Sequence, residues 1–314
     1  MLAIFESILP IFLLIVAGNL LRRTPLIDDS GWPGLEQIGY WFLYPVLLFI
    51  TILRADFSGL ELDRMMAALG GALALLLVSM AALWPLFRAT GLVARSQYSS
   101  VYQTSVRWNG FMALAVAQKL FPPEGAAVVA LVMAVIIIPI NFASVYVVTH
   151  FATGPSGLGR TARAIATNPL IIASAAAIVM RMMPFGLYQP IGVTLDLIGS
   201  AALGMGLVAI GAGLRPGDLL ATSSALWIPV AIKLVVFPAM LLALALGFGV
   251  GGDGLVYLML CGAMPTAMNG YLLARRLGGD APLYAAVTTM QTIVAFFTIP
   301  AVLWITGRLG GVQV

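Results

Sequence analysis

The segment VRWNGFMALA, residues 106–115, carries an arginine and an Asn-Gly pair inside an otherwise apolar run, and AMNGYLLARR, residues 267–276, carries a second Asn-Gly pair in the same setting. These residue types are suited to holding a ligand rather than to breaking a bond. The Arg107 guanidinium is a fixed fork of donors that grips a carboxylate through two hydrogen bonds. Asn109 and Asn269 each offer one amide acceptor and two donors. Gly110 and Gly270 loosen a helix, and Pro265 removes a backbone donor and interrupts the hydrogen-bond ladder. Backbone groups freed in this way have no partner in lipid, so they must face protein or a wet cavity. Thr266, beside Pro265, adds a hydroxyl to the same segment. The expected substrate-binding set is therefore Arg107, Asn109, Gly110, Pro265, Thr266, Asn269 and Gly270. The competing reading is that the two asparagines only join helices to one another, as polar side chains do in membranes.

Two further ionisable residues, Asp196 and Lys233, fall inside apolar segments. A charge at the centre of a membrane helix costs about 2.5–3.5 kcal/mol on insertion scales, so each requires a reason. Lys233 and Asp196 are candidates for coupling or for pairing with each other. Two cations against one anion at depth lean toward an anionic substrate. With one histidine, one cysteine (Cys261), no His-Glu-x-x-His motif and no paired intramembrane carboxylates, neither an enzyme nor a metal or cofactor site is expected. Coupling to a proton or to sodium stays open; sodium would have to use carbonyls and hydroxyls such as Thr266 and Thr288.

The elements that position these residues follow from composition. Only 9% of the 314 residues are charged and 61% are hydrophobic, too few polar groups to cover a water-soluble globule. Nothing in the +4 net charge forms a basic run for nucleic acid. Ten apolar segments of spanning length are expected, at 2–21, 36–53, 65–87, 97–120, 125–149, 166–183, 189–213, 222–248, 254–275 and 281–307. A Gly-rich, basic connection at 151–165 separates a first half, 1–150, from a second, 166–314. Nine of the arginines and lysines in the connections fall on one side and five on the other, which predicts a cytoplasmic central loop and both termini outside.

The halves repeat. Asn109-Gly110-Phe111 matches Asn269-Gly270-Tyr271 at an offset of 160, and Leu53-Arg54 with Asp56 matches Leu214-Arg215 with Asp218 at 161. Ile138-Pro139 matches Ile299-Pro300, also at 161. An odd number of spans per repeat inverts the second copy, an architecture common among secondary transporters, whose sites lie where discontinuous helices meet near the midplane.

The segments NPLIIASAAAIV (168–179), LDLIGSAALGMGLVAIGAGL (195–214), IKLVVFPAMLL (232–242) and MPTAMNGYLLARRLGGD (264–280) resemble the auxin efflux carrier family, which includes plant PIN auxin exporters and bacterial permeases associated with malonate or malate. The resemblance runs over nearly the whole chain and is most specific in the second half. It implies an all-α polytopic membrane protein: ten transmembrane helices in two inverted five-helix repeats, with broken crossover helices 4 and 9, similar to bile-acid sodium symporters. It implies elevator-type alternating access, with the crossover asparagines, here Asn109 and Asn269, in the substrate site. The chain departs from the family in lacking a proline after Asn109, in carrying Gly204 where span 7 often has proline, and in carrying Arg107.

The function expected is secondary transport of a small organic anion, a mono- or dicarboxylate such as malonate, malate or an auxin-like acid, across a cell inner membrane. A sodium-coupled organic-anion symporter, a passive channel and a receptor are the alternatives. The expected partners are the anionic substrate and the lipid bilayer, with a homodimer left open and no nucleic acid.

Overall fold

A computed structural model describes residues 2–28, 30–54, 60–151, 166–184, 186–217 and 223–312. Among the described residues every regular element is helical. Seven helices are long and apolar enough to cross a membrane: Ile4–Arg22, Gly31–Arg54, Leu62–Thr90, Pro123–Val148, Gln189–Gly213, Ser224–Gly247 and Ala281–Gly310. The protein is a multi-pass membrane protein whose described regular elements are all helical.

In chain order the elements are α1 (Leu2–Arg22), α2 (Gly31–Ile38), α3 (Tyr44–Arg54), α4 (Leu62–Ala82), α5 (Trp84–Thr90), α6 (Arg95–Val106), α7 (Gly110–Leu120) and α8 (Pro123–Phe151). The second half follows with α9 (Pro169–Arg181), α10 (Gln189–Gly213), α11 (Ser224–Ala231), α12 (Phe237–Gly247), α13 (Gly252–Ala263), α14 (Asn269–Leu277) and α15 (Ala281–Gly310). Three of the ten expected segments are not single long helices. Segment 166–183 becomes the 13-residue α9, about 20 Å at 1.5 Å per residue, shorter than the hydrocarbon layer. Segments 97–120 and 254–275 are each broken in two, at 107–109 and at 264–268. Most of the expected central connection lies outside the described residues, as do Asp56 and Asp218 of the repeat.

Proline explains the two π-helical turns. One covers Gly39–Leu43, ahead of Tyr44-Pro45, and the other covers Ile232–Val236, ahead of Phe237-Pro238. A proline ring clashes with the carbonyl four residues back, and a one-residue expansion of the turn relieves that clash. Pro10, Pro139, Pro229 and Pro300 are carried inside helices.

The helices sort into two groups by packing. α1, α3, α9 and α10 pack mainly on one another, while α4, α6, α7, α8 and α11–α15 pack around the two breaks. α1 and α10 approach backbone to backbone: a Cβ on Gly18 would overlap the Val208 carbonyl, and one on Gly211 would overlap the Ile15 carbonyl. The Asn19 amide fastens the same pair by donating to the Gly211 and Leu214 carbonyls at 3.2 and 2.9 Å. Between the groups the contacts are α1 with α7 and α15, α3 and α9 with α8, and α10 with α7. Aromatic rings fill part of that boundary: Phe5 and Phe12 pack on Phe296, and Tyr44 stacks on Phe111 with centroids 3.5 Å apart.

Candidate functional site

α6 is the polar helix of the interior. Ser99, Ser100, Gln103, Thr104 and Ser105 are all buried, and the Thr104 and Ser105 hydroxyls donate to carbonyls one turn back. The helix stops at Arg107, whose backbone turns extended (φ −72°, ψ 159°) after its N–H donates to the Gln103 carbonyl at 2.9 Å. α7 starts again at Gly110, with Asn109 as N-cap: its Oδ1 accepts from the Met112 N–H at 3.1 Å. This is the local reason for an asparagine here, since Asn is among the best residues for satisfying the orphan donors of a first turn.

The second break is built differently. α13 ends at Met264, also extended (φ −71°, ψ 142°), and α14 starts at Asn269 after Pro265 and Thr266. The Asn269 side chain lies outside the described residues, so its expected ligand role has no geometry to set beside that of Asn109.

The two breaks touch. The Asn109 N–H, which has left its own helix, donates to the Pro265 carbonyl at 2.7 Å. Two interrupted ladders thus satisfy one another across about 155 residues of chain, as buried backbone groups require. The N-termini of α7 and α14 open from these breaks, and the partial positive charge of a helix N-terminus favours an anion there.

Two residues outside the expected set hold the rest of the freed backbone. Gln291, fully buried on α15, accepts from the Thr266 N–H at 2.8 Å and donates to the Thr104 and Pro229 carbonyls, both at 3.0 Å. Its one amide ties the α6 terminus, the proline-bearing α11 and the second break together. The Tyr284 hydroxyl donates to the Ala267 carbonyl at 2.7 Å and lies 3.4 Å from Thr266 Oγ1. A Cβ on Gly270 would overlap that hydroxyl, and one on Gly110 would lie 2.8 Å from Met133 Cγ, so both glycines are needed for close approach. A sequence signal existed for Gln291, which carries the one side-chain amide of the 30-residue α15.

Arg107 is 6% exposed, and its Nε donates to Gln103 Oε1 at 3.3 Å. Lys233 is 1% exposed and sits on the π-helical turn. It does not pair with Asp196. Its Nζ lies 4.4 Å from the centroid of the Phe237 ring, a cation–π arrangement, and no carboxylate contact is described for it. Asp196 instead pairs with Arg54 at 2.7 Å, both side chains around half exposed, which joins α10 to α3. The expected Lys233–Asp196 pairing fails because α10 packs on α1 and α3, in the other helix group from the π turn.

Lys233, Val106, Trp108 and Cys261 border a cavity of about 10 Å³, room for roughly one water. A larger open crevice of about 720 Å³ lies between the ends of α3 and α9, bordered by Arg54 and Arg181, and none of the break residues lines it. Thr288, Thr289 and Thr292 direct their hydroxyls to carbonyls within α15. Among the described residues no cluster of three histidine, cysteine or carboxylate side chains could hold a metal ion.

The arrangement is a buried junction at which two helix N-termini meet beside Arg107. Residues 157–304 match the family model described as "Membrane transport protein". Over 95% of this chain and 96% of the other protein, the sequence is 22% identical to an "Uncharacterized transporter" of Methanothermobacter thermautotrophicus. The matched residues, 157–304, take in α9 to the greater part of α15.

Proposed function

We propose that the protein is a secondary transporter of a small organic anion, with its substrate site at the touching breaks. The observation that carries this reading is the Asn109 N–H to Pro265 carbonyl bond, which brings two helix N-termini and buried Arg107 to one place. Two broken helices joined in that way are what a midplane site in a transporter requires, and the arginine supplies the charge that would read a carboxylate. Asn109, Gly110, Pro265, Thr266, Asn269 and Gly270 complete the site.

In this reading the ten apolar segments form two inverted five-helix repeats, 1–150 and 166–314, around a cytoplasmic 151–165 connection, with both termini outside a cell inner membrane. The α1, α3, α9 and α10 group acts as a scaffold against which the other group moves in an elevator cycle. The sliding boundary is the aromatic contact set of Phe5, Phe12, Tyr44, Phe111 and Phe296. Lys233, buried without a described carboxylate, is the better candidate of the two charged residues for balancing or coupling to the anion, because Asp196 is already engaged by Arg54.

The test is a carboxylate binding screen on the purified chain, repeated on Arg107→Met and Asn109→Ala. A hit whose binding is lost in both variants supports the site. Wild-type binding in both variants removes it.

A further inference from the structure

Two buried glutamines flank the breaks, and they differ in how their amides are used. Gln291 places its oxygen and its nitrogen on protein groups, with three hydrogen bonds in all. Gln103, 0% exposed on α6, does not. Its Oε1 accepts from Arg107 Nε, and its Nε2 has no acceptor. The orientation of this amide is fixed by chemistry: a guanidinium only donates, so the oxygen must be the atom turned toward it and the NH2 must face away. A buried donor left without an acceptor costs about 1–3 kcal/mol, and such a group in a native interior calls for a reason. Among the described residues the other buried side-chain atoms in this condition are Trp32 Nε1, Ser144 Oγ and Thr298 Oγ1.

We propose that Gln103 is a ligand-binding residue. Its amide NH2 donates to a second acceptor on the organic anion whose carboxylate Arg107 holds. The site therefore selects anions that carry a further carboxylate over plain monocarboxylates. This inference rests on the anion site proposed above. Gln103 and Arg107 stand one helical turn apart, where side chains start about 5–6 Å from each other. That spacing suits a short dicarboxylate reaching both donors. Gln291, with its amide already engaged, has no such capacity, so the preference is assigned to Gln103 alone.

The experiment is calorimetric titration of the purified full chain with matched probes: propionate against malonate, and butyrate against succinate. Wild type is expected to bind one of the dicarboxylates about tenfold more tightly than its monocarboxylate partner, a difference of about 1.4 kcal/mol. Gln103→Met is expected to lose that preference; because it also removes the acceptor of Arg107 Nε, the readout is the ratio of dicarboxylate to monocarboxylate affinity within the variant. Gln103→Leu, which also lacks the donor, must lose the preference too, and it decides the matter if the methionine variant does not fold.

If no carboxylate binds wild type, the anion site fails and this inference falls with it. If monocarboxylates bind through Arg107 without any preference for the dicarboxylates, the anion site stands and the role of Gln103 is overturned. Retention of the preference in either variant overturns it as well.

Discussion

Replacing Gln291 by methionine should loosen the junction of the two breaks more than any other single polar deletion in α15. The side chains are close in length and volume, so the substitution removes three hydrogen bonds and little packing. The Thr266 N–H suffers most, because Pro265 and the extended Met264 have already taken it out of the helix ladder. The Thr104 carbonyl loses the Gln291 donor beyond the end of α6, whereas the Pro229 carbonyl retains the Ile232 N–H. Three bonds at the average of about 0.6 kcal/mol seen in membrane proteins give about 2 kcal/mol. Counting the Thr266 N–H and the Thr104 carbonyl at the buried-unsatisfied penalty gives about 2–6 kcal/mol. The expected loss is therefore at least about 2 kcal/mol, read by reversible unfolding in mixed micelles. Gln291→Glu keeps an acceptor for Thr266 and should recover part of it. A methionine variant as stable as wild type would refute the idea that one amide carries the freed backbone of three segments.

Three other outcomes follow from the same geometry. Gly270→Ala drives a methyl group into the buried Tyr284 hydroxyl and should cost about 1–3 kcal/mol; in an unfolding double-mutant cycle, Tyr284→Phe should relieve part of that cost. Asn109→Ala removes the cap on the Met112 N–H and should cost about 0.5–2 kcal/mol, while Asn109→Ser, which can still cap, should restore stability without restoring substrate binding. Lys233→Met replaces a buried ammonium with no described carboxylate, so the melting temperature should not fall; uptake should fall in the same preparation, and a variant that transports normally would remove Lys233 from the anion's path.

What could be read from the sequence, and what could not, divides along local and long-range lines. The positions of both breaks were legible because their causes are local: Asn109-Gly110 in one segment, Pro265 and Asn269-Gly270 in the other. Helix occurs in each of the ten apolar segments, and among the described residues seven helices are continuous and long enough to span. The partner of each freed group was not legible. Asn109 meets Pro265, Gln291 meets Thr104, and Asp196 meets Arg54 across intervals on the order of 140 residues or more, and nothing in local pattern encodes which helix faces which. Gln103 and Gln291 carry no charge to mark them in an apolar segment, although an amide deep in an apolar helix carries the same kind of signal at lower cost. The π turns have a local cause, a proline two residues beyond each, but a proline inside a span more often reads as a simple kink.

Counterflow in proteoliposomes tests the central claim most directly. Vesicles holding an unlabelled carboxylate identified by the binding screen are diluted into its radiolabelled form, with wild type and Arg107→Met compared at equal reconstitution. A carrier with its site at the two breaks predicts saturable uptake that overshoots equilibrium in wild type and vanishes in Arg107→Met. Non-saturating flux without overshoot, or equal counterflow in the two proteins, would contradict it.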